Sequence, residues 1–305
     1  MESIQPVYEE KPKKRINFKL WNRQRDVKIL KYVAIALIVV SSVITITEEV
    51  LYYSEDIFFG DESSDNFDSG SSGTCNVIGI NLHGTVVTYI PPTNSDDSND
   101  TADMTSSDDI LNYLEQAEAD KDIKAIVLEI DSYGGSAVAA EEIANALKRV
   151  TKPTVAFIRD GGVSAAYWAA TGADMIFASK NSDVGSIGVT MSYLDNVGQN
   201  QKEGFIYNQL SAGKFKDTGD PDKTLSWEEK NLLMRDINIV HQNFIKAVAE
   251  NRNLDIKKVA SLADGSTMLG EMALKNGLID GIGRLFEARE YLKGKIGEDV
   301  EVCWQ

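Results

Sequence analysis

The sequence predicts an α/β fold built on a parallel sheet, and three observations carry that prediction. Short apolar segments recur at residues 125–130, 154–158 and 175–178. Segments with helical apolar spacing lie between them, which implies parallel pairing through right-handed crossovers. The chain of 305 residues, 43% hydrophobic and 26% charged, has the composition of a globular protein able to bury one sizeable core.

Taken in order, the chain opens with a basic tail, residues 1–28. Its first 32 residues hold nine Lys or Arg against four Asp or Glu. Residues 33–47 carry no charge, and Ile29, Leu30 and Tyr32 extend the run, so 29–47 can span a bilayer if Lys31 snorkels. The basic flank comes before it and Glu48-Glu49 after it. The positive-inside rule therefore predicts a single-pass cell-membrane protein with its N-terminus in the cytoplasm and the bulk outside. A cleaved signal peptide is the competing reading; the long basic region and the lack of a small-x-small site after the run weigh against it. Residues 48–74 are acidic and rich in Ser and Gly, a tether too poor in apolar residues to pack.

The folded, extracytoplasmic domain is expected over residues 75–305. Residues 76–87 read as a strand, a glycine turn and a second strand. A polar loop follows, 93–109, with a glycosylation sequon at Asn99-Asp100-Thr101. Ile110, Leu114 and Ala117 have helical spacing behind Asp108-Asp109, and Ala140, Ile143, Ala144 and Leu147 line a second helical face. The strand series ends with residues 205–207. Ser226-Trp-Glu-Glu229 is a capping box, and Leu232, Leu233, Ile237, Val240, Phe244 and Val248 form a stripe read as ordinary core. A short helix stopped at Gly277 and another near residues 285–292 close the chain.

A net charge of −16 argues against a nucleic-acid partner, which would need clustered Lys and Arg. Cys75 and Cys303 stand at the two ends of the folded part, where they can pair outside the cytoplasm. No Cys-x-x-Cys or His-Glu-x-x-His spacing is present, so the expectation is no metal and no cofactor.

The segment 160–170, Asp-Gly-Gly-Val-Ser-Ala-Ala-Tyr-Trp-Ala-Ala, puts Ser164 after two glycines at the start of an Ala-rich helix. Two readings of Ser164 stand: a helix cap, or a nucleophile among unpaired N–H groups at the positive end of a helix. A nucleophilic serine needs a base. The chain has two histidines, His83 beside a glycine turn and His241 within a long helix; neither carries a local serine-hydrolase signature, and the Gly-x-Ser-x-Gly elbow is missing. The alternative is a lysine kept neutral by burial, for which Ser211-Ala-Gly-Lys-Phe-Lys-Asp217 offers Lys214 and Lys216. In an extended segment both would point the same way. Backbone N–H groups in the Gly134-Gly135 turn can face an oxyanion.

Together these segments resemble the signal peptide peptidase A (protease IV-like) family of membrane-anchored Ser-Lys peptidases, over about residues 75–290. The family's Asp/Asn-Ser-Pro-Gly-Gly is similar to Asp131-Ser-Tyr-Gly-Gly135, with Tyr133 in place of proline. Its Ala-Ser-Gly-Gly-Tyr is similar to Val163-Ser-Ala-Ala-Tyr167, its Gly-Ser-Ile-Gly-Val stands unchanged at 185–189, its Gly-x-x-Lys-Asp/Ser resembles Gly213-Lys-Phe-Lys-Asp217, and its closing Gly-Leu-Ile-Asp resembles residues 277–280. The resemblance implies an α/β Clp protease/crotonase-like core of repeated β-β-α units after one transmembrane helix. It implies Ser164 as nucleophile, Lys216 as general base, Ser186 as the lysine-orienting hydroxyl, and N–H groups of Gly134, Gly135 and Ala165 as the oxyanion hole. It also implies a homo-oligomer with shared active sites, acting without a cofactor on cleaved signal peptides or other short unfolded peptides. Two rivals remain: a crotonase-type acyl-thioester enzyme, and a catalytically silent membrane scaffold.

Overall fold

The computed structural model describes residues 75–91 and 103–305. The tail, the apolar segment 29–47, the tether 48–74 and the sequon at 99–101 lie outside the described residues. Among the described residues no helix is long and apolar enough to cross a membrane.

The first half of the domain alternates strand and helix: β1 (Val77–Val87), β2 (Met104–Ser106), α1 (Ser107–Ala119), β3 (Ala125–Gly135), α2 (Ala137–Arg149), β4 (Thr154–Val163), α3 (Ala165–Ala170), β5 (Met175–Ala178) and β6 (Asp183–Gly185). The second half is mainly helical: α4 (Val197–Glu203), α5 (Trp227–Asn251), α6 (Ile256–Leu262), β7 (Thr267–Leu269), α7 (Gly270–Asn276), β8 (Gly281–Ile282), α8 (Leu285–Ile296) and β9 (Val302–Trp304). The sheet runs β2-β1-β3-β4-β5-β8, all parallel, with β9 beside the start of β1. The end of β4 turns away from β5 to pair with β6, and β6 pairs antiparallel with β7, so the sheet is mixed.

Residue alternation along β3 shows how the sheet is covered. Ile126, Leu128 and Ile130 point to one face and pack with Ile110 and Leu114 of α1 and Ile143 and Leu147 of α2. Ala125 and Val127 point to the other face and pack with Ala288 and Leu292 of α8. A strand buried on both faces reads as a continuous apolar run, which is why the middle of the domain was legible. Truncating Leu128, 1% exposed, to Ala would cost about 2–5 kcal/mol. The α8 cover reaches only the first part of the strands. Beyond it the same face turns polar, and Glu129 accepts from Arg159 at 2.8 Å and meets His83 at 3.2 Å.

Four expectations are corrected. The polar loop expected over 93–109 gives way from Met104 on to β2 and the first turn of α1. Residues 76–87 form one strand: Gly84, at φ +63, is a bulge that shifts register between His83 and Thr85, and a Cβ there would lie 2.0 Å from Asp103 O. Residues 205–207 form no strand; Phe205 and Ile206 are exposed and have no sheet to join. The α5 stripe is core only at its C-terminal end, where Phe244, Ile245, Val248 and Ala249 are buried. Cys75 and Cys303 are joined, with Cα atoms 5.8 Å apart, tying the start of β1 to β9.

Candidate active site

The end of β4 decides where Ser164 sits. Gly161 to Val163 pair with β6, and Ser164 N–H then donates to Gly185 O at 2.8 Å. This holds Ser164 at φ 55, ψ −122, a conformation that costs a non-glycine residue about 1–3 kcal/mol. Its side chain makes no capping bond to α3, so the cap reading does not hold. The half-buried hydroxyl instead faces a cavity of about 730 Å³, lined also by Gly135, Ala165, Ser186, Trp168 and His241.

The β3 turn lies flush against this residue. Gly134 has φ +110, and a Cβ on it would come within 2.9 Å of Ser164 Cβ. Buried Ser132 sets the turn: its Oγ donates to Gly84 O at 2.6 Å and accepts Gly134 N–H at 3.1 Å. The bulge in β1 thus serves the site. Because the Gly134 N–H is taken by Ser132, it is not free as the oxyanion donor expected of it. Ser136 N–H bonds Val86 O at 2.8 Å, so by alternation the intervening Gly135 N–H faces away from β1. Ala165 N–H, at the first position of α3, has no place in the helix ladder. Gly135 and Ala165 both line the cavity; Gly134 does not.

Tyr133, standing where proline was expected, ties the two turns together. Its hydroxyl donates to Asp160 at 3.1 Å, a bond that raises the phenol above its usual range, and its ring covers Gly161. Ala165 and Ala166 bury their methyl groups in the core. Tyr167, fully buried, donates to Leu278 O at 2.8 Å, and burial pushes its phenol far up. Asp280 accepts Ile176 N–H at 2.8 Å and pairs with Arg252 at 2.7 Å. The 277–280 run therefore bolts α3 and β5 in place.

Ser186 lines the same cavity at φ 50. Its Oγ donates to Gly265 O at 2.7 Å, and among the described residues no lysine lines this cavity. The loop that receives it is fixed by Asp264, which accepts Ser266 Oγ at 2.6 Å and Ser266 N–H at 2.9 Å; these bonds lower its carboxyl.

Lys216 is not brought to Ser164 within one chain. It is exposed, absent from the cavity wall, and part of a turn rather than an extended segment, with its N–H on Gly213 O at 3.2 Å. Lys214 pairs with Glu228 at 2.7 Å. One wall of the cavity is instead made by α5, through Met234, Ile237, Asn238 and His241. The Nε2 atom of His241 is buried without a hydrogen-bond partner. Sequence reading set His241 aside; the available signal was the spacing of residues 234, 237, 238 and 241, one helical face that mixes polar and apolar groups above the buried Phe244.

Comparison with known proteins gives two family matches: peptidase family S49 over residues 146–297, and Clp protease over residues 98–184. A protein of Methanocaldococcus jannaschii named as a protease is 37% identical over 185 residues, covering 60% of each chain. A protein of Enterococcus faecium named as signal peptide peptidase SppA is 33% identical over 186 residues, 60% of this chain and 54% of that one. A protein of Synechocystis named as a protease is 31% identical over 194 residues, 63% of this chain and 70% of that one. The matched region thus spans little more than half the length of the first two relatives.

Proposed function

Because the chain belongs to peptidase family S49, we propose that it is a serine endopeptidase in which Ser164 attacks the peptide carbonyl and Lys216 acts as general base. The observation that carries this reading is the strained, uncapped Ser164 in a cavity beside Gly135 and Ala165. In the acyl-transfer step the proton of Ser164 Oγ passes to neutral Lys216, and the Gly135 and Ala165 N–H groups receive the oxyanion. Lys216 then protonates the leaving amine, and water releases the acyl group by the same route.

An exposed Lys216 outside the cavity wall supports a dyad completed by a neighbouring copy. The segment around it leaves Leu194, Ile206 and Leu210 82%, 81% and 99% exposed, a display of apolar side chains that favours burial against a partner. Closure of such an interface would also desolvate Lys216 and favour its neutral form. In this reading Ser186 orients the incoming lysine. The basic flank of 29–47 supports a membrane anchor with the catalytic domain outside the cytoplasm, and the Cys75–Cys303 bond supports an oxidising compartment. Substrates of this site are cleaved signal peptides or other short unfolded chains.

One observation favours a second reading: His241, with its unpartnered Nε2, shares the cavity with Ser164, so a base could lie in the same chain. Peptide hydrolysis by the wild type, Ser164→Ala, Lys216→Ala and His241→Ala separates the two. The dyad reading expects the first two variants to lose turnover and His241→Ala to keep it. Covalent labelling of Ser164 by a serine-reactive phosphonate distinguishes a peptidase from an acyl-thioester enzyme, and absence of both turnover and labelling would leave a silent scaffold.

A further inference from the structure

The segment between α4 and α5, residues 204–226, has no helix, no strand and no buried residue, yet it carries Lys216. It is held by a half-hidden ion cluster. Lys223 Nζ lies 2.5 Å from Glu229 Oε1 and 3.2 Å from Asp217 Oδ1, and the three side chains are 17%, 6% and 13% exposed. Glu229 is the third residue of α5 and closes the capping box, accepting Ser226 N–H at 2.9 Å while Ser226 Oγ accepts Glu229 N–H at 3.2 Å. The one hydroxyl proton of Tyr207 is shared between Asp217 at 3.1 Å and Asp220 at 3.3 Å, and Thr218 donates to Glu229 at 3.4 Å. The turn that carries Lys216 is therefore fastened to the rigid end of a 25-residue helix through the residue next to it.

We propose that Lys223 is a positioning residue for Lys216: it anchors the turn through Asp217 and cancels the carboxylate beside the base. The proposal rests on Lys216 being that base. A lysine must shed its proton to act, and an unpaired neighbouring carboxylate would hold the proton on it. The charged and titratable groups around this turn are Asp217, Asp220, Asp222, Glu229, Tyr207, Lys223 and the Lys214–Glu228 pair, with Asp222 accepting from Asn200 at 2.9 Å. Glu228 is already paired with Lys214. Lys223 is the cation that meets both Asp217 and Glu229.

The test is steady-state hydrolysis against pH with the full-length chain carrying Lys223→Met, Lys223→Arg, Lys223→Gln or Lys216→Ala. Lys223→Met is expected to lower kcat about 100-fold with KM within about twofold, the scale of a misplaced catalytic group. Its rising pH limb should move to higher pH, because an uncompensated carboxylate now stands beside the proposed base. Lys223→Arg, which keeps both carboxylates paired, should leave the limb in place. A simple loss of folded protein would scale kcat without moving the limb. Should Lys223→Met not fold, Lys223→Gln carries the test, and the limb should move the same way. An unmoved limb and wild-type kcat in either charge-removing variant, beside an inactive Lys216→Ala, would overturn the role of Lys223 alone. Activity retained by Lys216→Ala would overturn the reading beneath it.

Discussion

Ser164 sits at the end of a buried strand, with its backbone bonded to Gly185 and its neighbour Gly134 pinned by Ser132, whereas Lys216 sits in a segment where no residue is buried. The core holds Ser164 together with Gly135 and Ala165 at the cavity. A small ion cluster holds the turn of the proposed base, which stays outside the wall of the Ser164 cavity. On the proposed reading, half of the site is a property of the fold and half of the assembly, so the two halves should fail differently when altered.

The largest effect expected is loss of the base. Lys216→Ala should lower turnover by about 10⁴-fold or more with an unchanged melting temperature, because this exposed side chain supports no core. Gly134→Ala should hurt both activity and stability: its φ and the 2.9 Å approach to Ser164 Cβ oppose any side chain. About 100-fold in kcat and about 1–3 kcal/mol are expected, read by kinetics and by urea melts. Ser132→Ala removes a buried hydroxyl that serves Gly84 and Gly134, which should cost about 1–3 kcal/mol and loosen the turn. On the other side of the comparison, bonds from Lys223 and Ser226 hold the Glu229 carboxyl down at about 2, below its ordinary 4.5. Its contribution is then complete above pH 4.5 and is lost as pH falls towards 2. Amide exchange should accelerate in residues 204–226 over that window before it does so in β3 or β4. The smallest effect is expected for Lys214→Ala, within about threefold in turnover, since an exposed pair with Glu228 contributes little.

The same contrast explains what the sequence could reveal. Residues 125–130, 154–158 and 175–178 were legible as strands because burial on both faces leaves a plain apolar run. The run at 185–189 was found only through its likeness to a family motif; in the structure Gly185 and Ser186 both take positive φ. Residues 205–207 were misread because apolar side chains awaiting a partner have the same pattern as side chains awaiting a sheet. Gly84 was misread as a turn between two strands because a bulge and a turn ask the same freedom of glycine. The α5 stripe passed for core along its whole length, although the middle of the helix, from Met234 to His241, lines the cavity. The occupied N–H of Gly134 was beyond sequence reasoning, since it depends on where Ser132 points.

Subunit mixing tests the shared site most directly. Ser164→Ala and Lys216→Ala chains, each inactive alone, are combined under conditions where mass spectrometry shows mixed oligomers, and peptide turnover is measured. A dyad completed between copies predicts that turnover returns to about one quarter of the wild-type level for an equal mixture, because one interface in four then joins an intact serine to an intact lysine. No recovery in proven mixed oligomers would contradict the account and place the base in the same chain as Ser164.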